Sequence, residues 1–316
     1  GALVFDDPRF AVPLAGEFAA LERSLAAAGW NSASARVESS TFGGLSWLAH
    51  SSLLSGARVA DPGDYRDLLA SDRDTLVGRF AAAGYRSVAI MPGLKYPWPE
   101  GEFYRFDRIY DAGRLRYAGP AYGWWAIPDQ YSLYRVHQTE VVPAGRPPLL
   151  VFFPTINSHI PFAPLPPYRP KWAEVEAGGT ADTVPAATTL NDRLDGGELA
   201  TAYIESVRYN LAVVGGYLRQ HAPKDAVLLV LGDHQPPAVV GGRDIPWQVP
   251  VHLFSRNAGM IAAFLAAGFE PGLRPSATVL GGIETLGPLL LKTLDGDWPT
   301  PAPALTGGGS PILMSR

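Results

Sequence analysis

A doubly wound α/β domain, with a mostly parallel sheet flanked by helices, is the fold class this sequence predicts, and three observations predict it. Short apolar runs that read as buried strands alternate with amphipathic helical segments along the chain. The 316 residues, 47% of them apolar and 18% charged, suffice for one sizeable core. No internal repeat is visible, and strand signals continue on both sides of every Pro- or Gly-rich stretch. Segments 92–101, 161–170 and 178–185 therefore read as surface loops and not as domain linkers.

The elements follow in order. Pro13 to Gly29 has helical periodicity and a closing glycine, and SARVES after it reads as a short strand. Asp72 to Gly84 repeats the helical pattern, with RSVAIMPG following as a buried strand. PPLLVFFPT (147–155) and AVLLVLGD (226–233) are continuous apolar runs, which is how strands covered on both faces of a parallel sheet read. Between them Leu199, Tyr203, Val207, Leu211, Val214 and Leu218 recur every three or four residues and mark a long amphipathic helix. VPVHLFS is a further strand, and NAGMIAAFLAAG and ETLGPLLLKTL are late helices.

Composition excludes several functions. The net charge of −4 and the lack of any Lys/Arg block argue against a nucleic-acid partner. The absence of cysteine removes disulfides, thiolate metal sites and thiol nucleophiles together. No apolar run reaches the roughly 18 residues of a membrane span, and GALVFDDPRF lacks the basic and apolar regions of a signal peptide.

In doubly wound sheets ligands sit beyond the carboxyl ends of strands, and three polar clusters occupy that place. GDHQPP carries Asp233 and His234, TINSHIPF carries His159, and TFGGLSWLAHSSLLSG follows SARVES. A carboxylate beside an imidazole at a strand end offers oxygen and nitrogen ligands to one divalent cation. A helix opening just after Ser46 would aim its N–H groups and positive dipole end at an anion.

From roughly Val37 to Arg256 the chain resembles the alkaline phosphatase superfamily, in its sulfatase-like branch that includes lipoteichoic acid synthases and phosphoethanolamine transferases. Sulfatases carry a motif C/S-x-P-S-R-x-x-L-L-T-G. Leu53, Leu54, Ser55 and Gly56 match its end, and the nucleophile position ten residues before Gly56 falls on Ser46. Leu48, Ala49 and His50 stand where that motif has Pro, Ser and Arg. Synthase-like members use Thr, which makes Thr41 a rival in a poorer register. GDHQPP resembles the Asp-His metal pair, and NSHIPF the N-H-x-P-F segment whose His contacts substrate or assists the leaving group.

The resemblance thus implies a metal-dependent phosphoryl- or sulfuryl-transfer enzyme, hydrolase or transferase. Ser46 and His159 would be catalytic, and Asp233, His234 and Ser46 would hold one divalent metal ion, Mn, Mg or Zn, with Ca also admissible. Trp47, His50, Asp129 and Thr41 are candidate substrate contacts, Asp129 being first of all a helix N-cap. The implied substrate is a small anionic ester or lipid head group. The implied location is the extracytoplasmic, periplasmic face of a membrane, reached through segments outside residues 1–316.

The superfamily's first strand ends in an acidic metal ligand, and no such strand precedes the Pro13–Gly29 helix; Asp6 and Asp7 are candidates to replace that ligand but, standing before Pro8, read first as a turn. Residues 1–316 therefore read as one sulfatase-like catalytic domain without that strand. Two other readings stay open: an inactive sulfatase-like binding domain, and a metal-free serine hydrolase, although GLSWL lacks the second Gly of the G-x-S-x-G elbow. His137, His221 and His252 have structural explanations on helices and a strand. Trp98, Trp124, Trp125 and Trp247 read first as loop anchors and second as surfaces for a sugar or lipid head group, and Lys95 and Arg243 first as solvated loop charges and second as contacts for an anionic substrate.

Overall fold

Asp7 and Pro8 open the first long helix, and the capping chemistry there is local. Asp7 accepts from the Arg9 amide, while Pro8 sits in the first turn, where a missing N–H breaks no hydrogen bond. The computed structural model describes residues 1–122, 126–176 and 196–295, so the 178–185 stretch and Trp124 and Trp125 lie outside the described residues. In chain order the elements are α1 (Leu3–Asp6), α2 (Pro8–Ala27), β1 (Asn31–Glu38), α3 (Ser46–Ser55), α4 (Pro62–Leu69), α5 (Leu76–Ala82), β2 (Arg86–Met91) and β3 (Arg108–Asp111). There follow α6 (Ala112–Leu115), α7 (Asp129–Val136), β4 (Leu149–Phe152), α8 (Ala173–Glu176), α9 (Gly196–Gln220), β5 (Val227–Leu231) and α10 (Ala238–Gly241). The last are β6 (Gln248–Ser255), α11 (Ala258–Ala266), β7 (Glu270–Pro271), β8 (Val279–Gly282) and α12 (Leu286–Asp295). Asp6 and Asp7 are thus a helix junction and not a plain turn. Asp6 grips the buried Arg36 guanidinium in a bidentate pair at 2.5 and 2.7 Å.

The sheet differs from the expectation. The larger sheet runs β5-β6-β1-β7 with β8 beside β1, and within it β5–β6, β1–β6 and β1–β7 are antiparallel, only β1–β8 being parallel. A separate sheet, β3-β2-β4, is parallel throughout. The mostly parallel, doubly wound sheet is corrected to a mixed one. The physical reason is that a strand covered on both faces reads as a continuous apolar run whichever way its neighbours point. A second correction concerns β4 and β5, read as buried on both faces. Both are edge strands with partly exposed side chains, Val151 reaching 38%.

The layering is nonetheless helix, sheet, helix. On one face of the larger sheet Ala33, Ala35 and Val37 of β1 and Val249, Val251 and Leu253 of β6 pack with Met260 and Phe264 of α11. On the other face Phe254, Leu228 and Val230 meet Leu21 and Leu25 of α2 and Leu218 of α9. Alternate residues along one strand serve opposite cores.

His252 lies directly across from Ser34 in the β1–β6 ladder, packed beside Phe5 and Phe18. Ser34 donates to the Gly272 carbonyl at 2.6 Å, so it accepts from His252 Nδ1 at 2.7 Å. Burial pushes the His252 imidazole down to about 4, and that of His137 likewise to about 4. In the unfolded chain these rings titrate near 6.5. Stability from keeping them neutral is therefore full above 6.5 and is lost as pH falls from 6.5 toward 4, where only the unfolded state takes up the proton. Urea unfolding at stepped pH should show a midpoint that falls between about pH 7 and about pH 4.5, and a shallower fall in His252→Gln. Parallel curves for the two proteins would exclude His252 as a source of acid sensitivity.

Candidate active site

The carboxyl ends of β1 and β5 and the amino end of the antiparallel β6 meet at one rim. After β1, Ser39 donates to the Asp233 carbonyl at 2.5 Å and its own amide donates to the Trp247 carbonyl at 2.9 Å. The chain then turns through Gly43 (φ 68°), Gly44 (φ 156°) and Leu45 (φ 59°), left-handed conformations suited to glycine and unusual for leucine. Leu45 is the N-cap residue of α3 and Ser46 its first residue, so Ser46 stands at the positive end of a ten-residue helix.

The hydroxyls of TFGGLSWLAHSSLLSG divide cleanly. Ser51 donates to the Trp47 carbonyl and meets Tyr104 Oη at 2.7 Å; Ser52 donates to the Leu48 carbonyl and accepts from the Val59 amide; Ser55 accepts from the Ala57 amide. These are structural. Thr41 is 4% exposed, and its hydroxyl has no hydrogen-bond partner among the described residues. Only Ser46 points at the polar cluster, its Oγ lying 2.9 Å from His234 Nε2.

His234 is oriented by its other nitrogen. Nδ1 lies 2.6 Å from the Gln235 carbonyl, which can only accept, so Nδ1 carries the proton and Nε2 presents its lone pair to Ser46. Asp233 Oδ2 approaches that same Nε2 at 3.4 Å, while Oδ1 accepts from the His234 amide at 2.9 Å. His50, one helical turn beyond Ser46, brings Nε2 to 3.7 Å from Asp233 Oδ2 and rests edge-on against Phe152. Burial would raise the Asp233 carboxyl, but His234, His50 and Ser46 outweigh it and hold it below its ordinary value. Burial, reinforced by His234, pushes His50 below its ordinary value against the pull of Asp233.

The structure therefore brings Ser46, His50, Asp233 and His234 together. His159 is placed on the loop after β4, in a turn closed by its amide on the Ile156 carbonyl at 3.0 Å, with Nδ1 2.6 Å from the Ile160 carbonyl. Trp47 is 46% exposed beside Ser46. Asp129 is fully buried, and Pro128 and not Asp129 is the N-cap of α7. The N-cap reading and the substrate-contact reading of Asp129 are both corrected: its carboxylate is enclosed by the 156–157 backbone. Trp98 stacks on Tyr104 as an anchor, whereas Trp247 is 41% exposed and touches Phe42.

Two supporting residues escaped the sequence reading. Gln235 fastens the Asp-His loop, donating from Nε2 to the Pro246 and Gln248 carbonyls at 2.8 and 2.9 Å, while its own carbonyl accepts from Gly43. Its place directly after His234 in GDHQPP was the available signal. Ser39 had none, because nothing in ESST separates it from Ser40.

A hydroxyl, a carboxylate oxygen and an imidazole nitrogen meeting at one point fit a divalent cation in kind. The backbone carbonyl on His234 Nδ1 is the outer contact that orients metal-binding imidazoles. Among the described residues no group of three or more His, Cys, Asp or Glu side chains is arranged to hold a metal ion, so the set consists of Asp233, His234 and the Ser46 hydroxyl. A Ser-His-Asp triad needs the carboxylate on the imidazole nitrogen remote from the serine. Here Asp233 and Ser46 share Nε2, and the metal-free hydrolase geometry is not built.

Comparison with known proteins gives the family and the fold. The sulfatase family model matches residues 25–252. No curated protein matches the chain. Among solved structures, the phosphoglycerol transferase GacH from Streptococcus pyogenes, in complex with sn-glycerol-1-phosphate, is similar with a TM-score of 0.53 at 11% identity, over 90% of this chain and 74% of that one. The lipoteichoic acid synthase LtaP from Listeria monocytogenes is similar with a TM-score of 0.51 at 12% identity, over 74% of this chain. The alignment spans 59% of the LtaP chain.

A Cβ at Gly43 would lie 3.2 Å from Pro237 Cα at a φ of 68°, whereas one at Gly16 in α2 would meet nothing within 4 Å. Gly43→Ala should therefore lower unfolding stability by about 1–2 kcal/mol, and Gly16→Ala should raise it by up to about 1 kcal/mol. Equal shifts of the urea midpoint would contradict the backbone argument.

Proposed function

Because the chain belongs to the sulfatase family of the alkaline phosphatase superfamily, we propose that it is a metal-dependent phosphoryl- or sulfuryl-transfer enzyme, hydrolase or transferase, with Ser46 as nucleophile. The observation that carries this reading is the convergence of Ser46 Oγ and Asp233 Oδ2 on His234 Nε2, at 2.9 and 3.4 Å, at the head of α3. Asp233 and His234 hold one divalent cation, which supplies the charge that lowers the hydroxyl pKa at neutral pH.

Each residue then has a task. Ser46 Oγ gives up its proton to solvent and forms the new bond to phosphorus or sulfur as the bond to the leaving oxygen breaks, and the N-terminus of α3 steadies the anion in transfer. His159 donates a proton to the leaving oxygen. Attack by water on the covalent Ser46 ester releases a hydrolase product; attack by an acceptor hydroxyl makes the same site a transferase. The substrate is a small anionic ester or lipid head group. A glycerol-phosphate ester is the first to test, because GacH binds sn-glycerol-1-phosphate. No helix among the described residues is long and apolar enough to cross a membrane; an extracytoplasmic site of action rests on the family likeness.

The inactive-domain reading has one specific support, the small donor set, and metal content separates it from the catalytic one. Asp233→Ala should lose the stoichiometric metal that the parent retains in elemental analysis, and chelation should abolish turnover. Equal metal in both proteins would sink the assignment of Asp233.

Ser46→Ala should abolish turnover with the fold intact, while Thr41→Ala should cost far less, since its hydroxyl is buried and meets no hydrogen-bond partner among the described residues. Trapping with a slow phosphate or sulfate ester followed by peptide mapping reads the choice directly. A modified Thr41 with an untouched Ser46 would overturn it.

A further inference from the structure

We propose that the first turn of α7 is the device that positions His159: Asp129 and Gln130, both enclosed in the protein, fasten the two ends of the 156–169 loop that carries it. The inference rests on the reading above in which His159 acts on the leaving group. Asp129 is a positioning residue.

Asp129 is 0% exposed, and both carboxylate oxygens leave its own helix to accept backbone N–H groups of the loop. Ile156 N donates to Oδ1 and Asn157 N to Oδ2, each at 2.9 Å. Asn157 answers with its side chain, whose Oδ1 accepts from the Asp129 amide at 2.7 Å. From there one further bond reaches the imidazole's own residue, because the Ile156 carbonyl accepts from His159 N at 3.0 Å. Gln130, 1% exposed, grips the other end as a strand partner would. Its Nε2 donates to the Arg169 carbonyl at 2.7 Å, and its Oε1 accepts from the Arg169 amide at 2.9 Å. Within the span so fastened, Phe162 is buried against Tyr203 of α9, which fixes the middle of the loop.

The chemistry of Asp129 argues against a filler role. Among the described residues no Lys or Arg pairs with it, and burial pushes its carboxyl up to about 7 although the Ile156 and Asn157 amides pull it down. A carboxylate in such a place is unfavourable. What it supplies that a neutral side chain cannot is two charge-assisted acceptors, one for each of two consecutive N–H groups. Asn in its place would turn an NH2 against one of those N–H groups.

Asp129→Asn tests the proposal, with Gln130→Leu as a second variant in case the first does not fold. Phe264→Leu, in the core beneath the far face of the larger sheet, serves as a control for general loss of stability. Hydrogen exchange should rise at least about tenfold at amides 155–162 in Asp129→Asn while β1, β6 and α3 keep their protection. With p-nitrophenyl phosphate, whose leaving group needs no proton, kcat should be nearly unchanged. With sn-glycerol-1-phosphate, whose leaving group is an alkoxide, kcat should fall by up to about 100-fold at unchanged KM. His159→Ala should show the same discrimination, and the double variant should be no worse than His159→Ala alone. Unaltered loop exchange, exchange that rises throughout as in the control, or equal loss on both substrates would overturn the proposal. A His159→Ala enzyme without leaving-group discrimination would defeat the catalytic reading of His159, leaving loop exchange to decide the clamp alone.

Discussion

The left-handed run Gly43–Gly44–Leu45 is the constraint on which the rest of the site depends. It closes the connection from β1 into the head of α3, where Ser46 meets His234 of the loop after β5. The turn is held from outside by the Gln235 carbonyl, which accepts from Gly43 N and stands beside His234 Nδ1. One backbone carbonyl thus fixes both the approach of the helix and the tautomer of the imidazole. Leu45 takes a conformation that costs a non-glycine residue about 1 kcal/mol, and such strain persists where the surroundings over-determine it.

Around this turn, polar groups are buried in two different manners. In the larger sheet Ser34, His252, Arg36 and Asp6 form pairs whose partners are all side chains or carbonyls of neighbouring elements, and they serve to register strands and helices. At the rim, Ser46, Asp233 and His234 contact one another and their own loop, with His50 beside the Asp233 carboxylate and Ser39 on its carbonyl. The first kind stabilises the fold; the second is the group to which the proposed function assigns the cation and the anionic substrate.

Much of this was legible in the sequence, and for definite reasons. The helical periodicity of residues 199–218, the glycine closing α2 at Gly29 and the adjacent Asp233 and His234 after β5 are local signals, and each lies where expected. Strand direction was not legible. Ala33, Ala35 and Val37 face one layer of helices and Ser34 and Arg36 another, so the run looks the same beside an antiparallel β6 as it would beside a parallel one. Asp129 misled because helix starts ordinarily use a carboxylate on their own amides; the partners that claim it, Ile156 and Asn157, are distant in sequence. Ser39 and the Gln235 side chain both act on backbone carbonyls of distant residues, partners that residue type does not reveal.

The edge strands β4 and β5 carry a consequence for handling the protein. LLVF and VLLVL have high β propensity and contain neither charge nor proline, the composition of segments that recruit like strands into aggregates. Protection therefore falls to the flanks. Pro147 and Pro148 precede β4 and Pro154 follows it, while Lys224 and Asp225 precede β5 and Asp233 follows it. Asp233 is then a gatekeeper of solubility as well as a member of the rim cluster, and neutralising it alters the colloidal behaviour of the chain together with its chemistry.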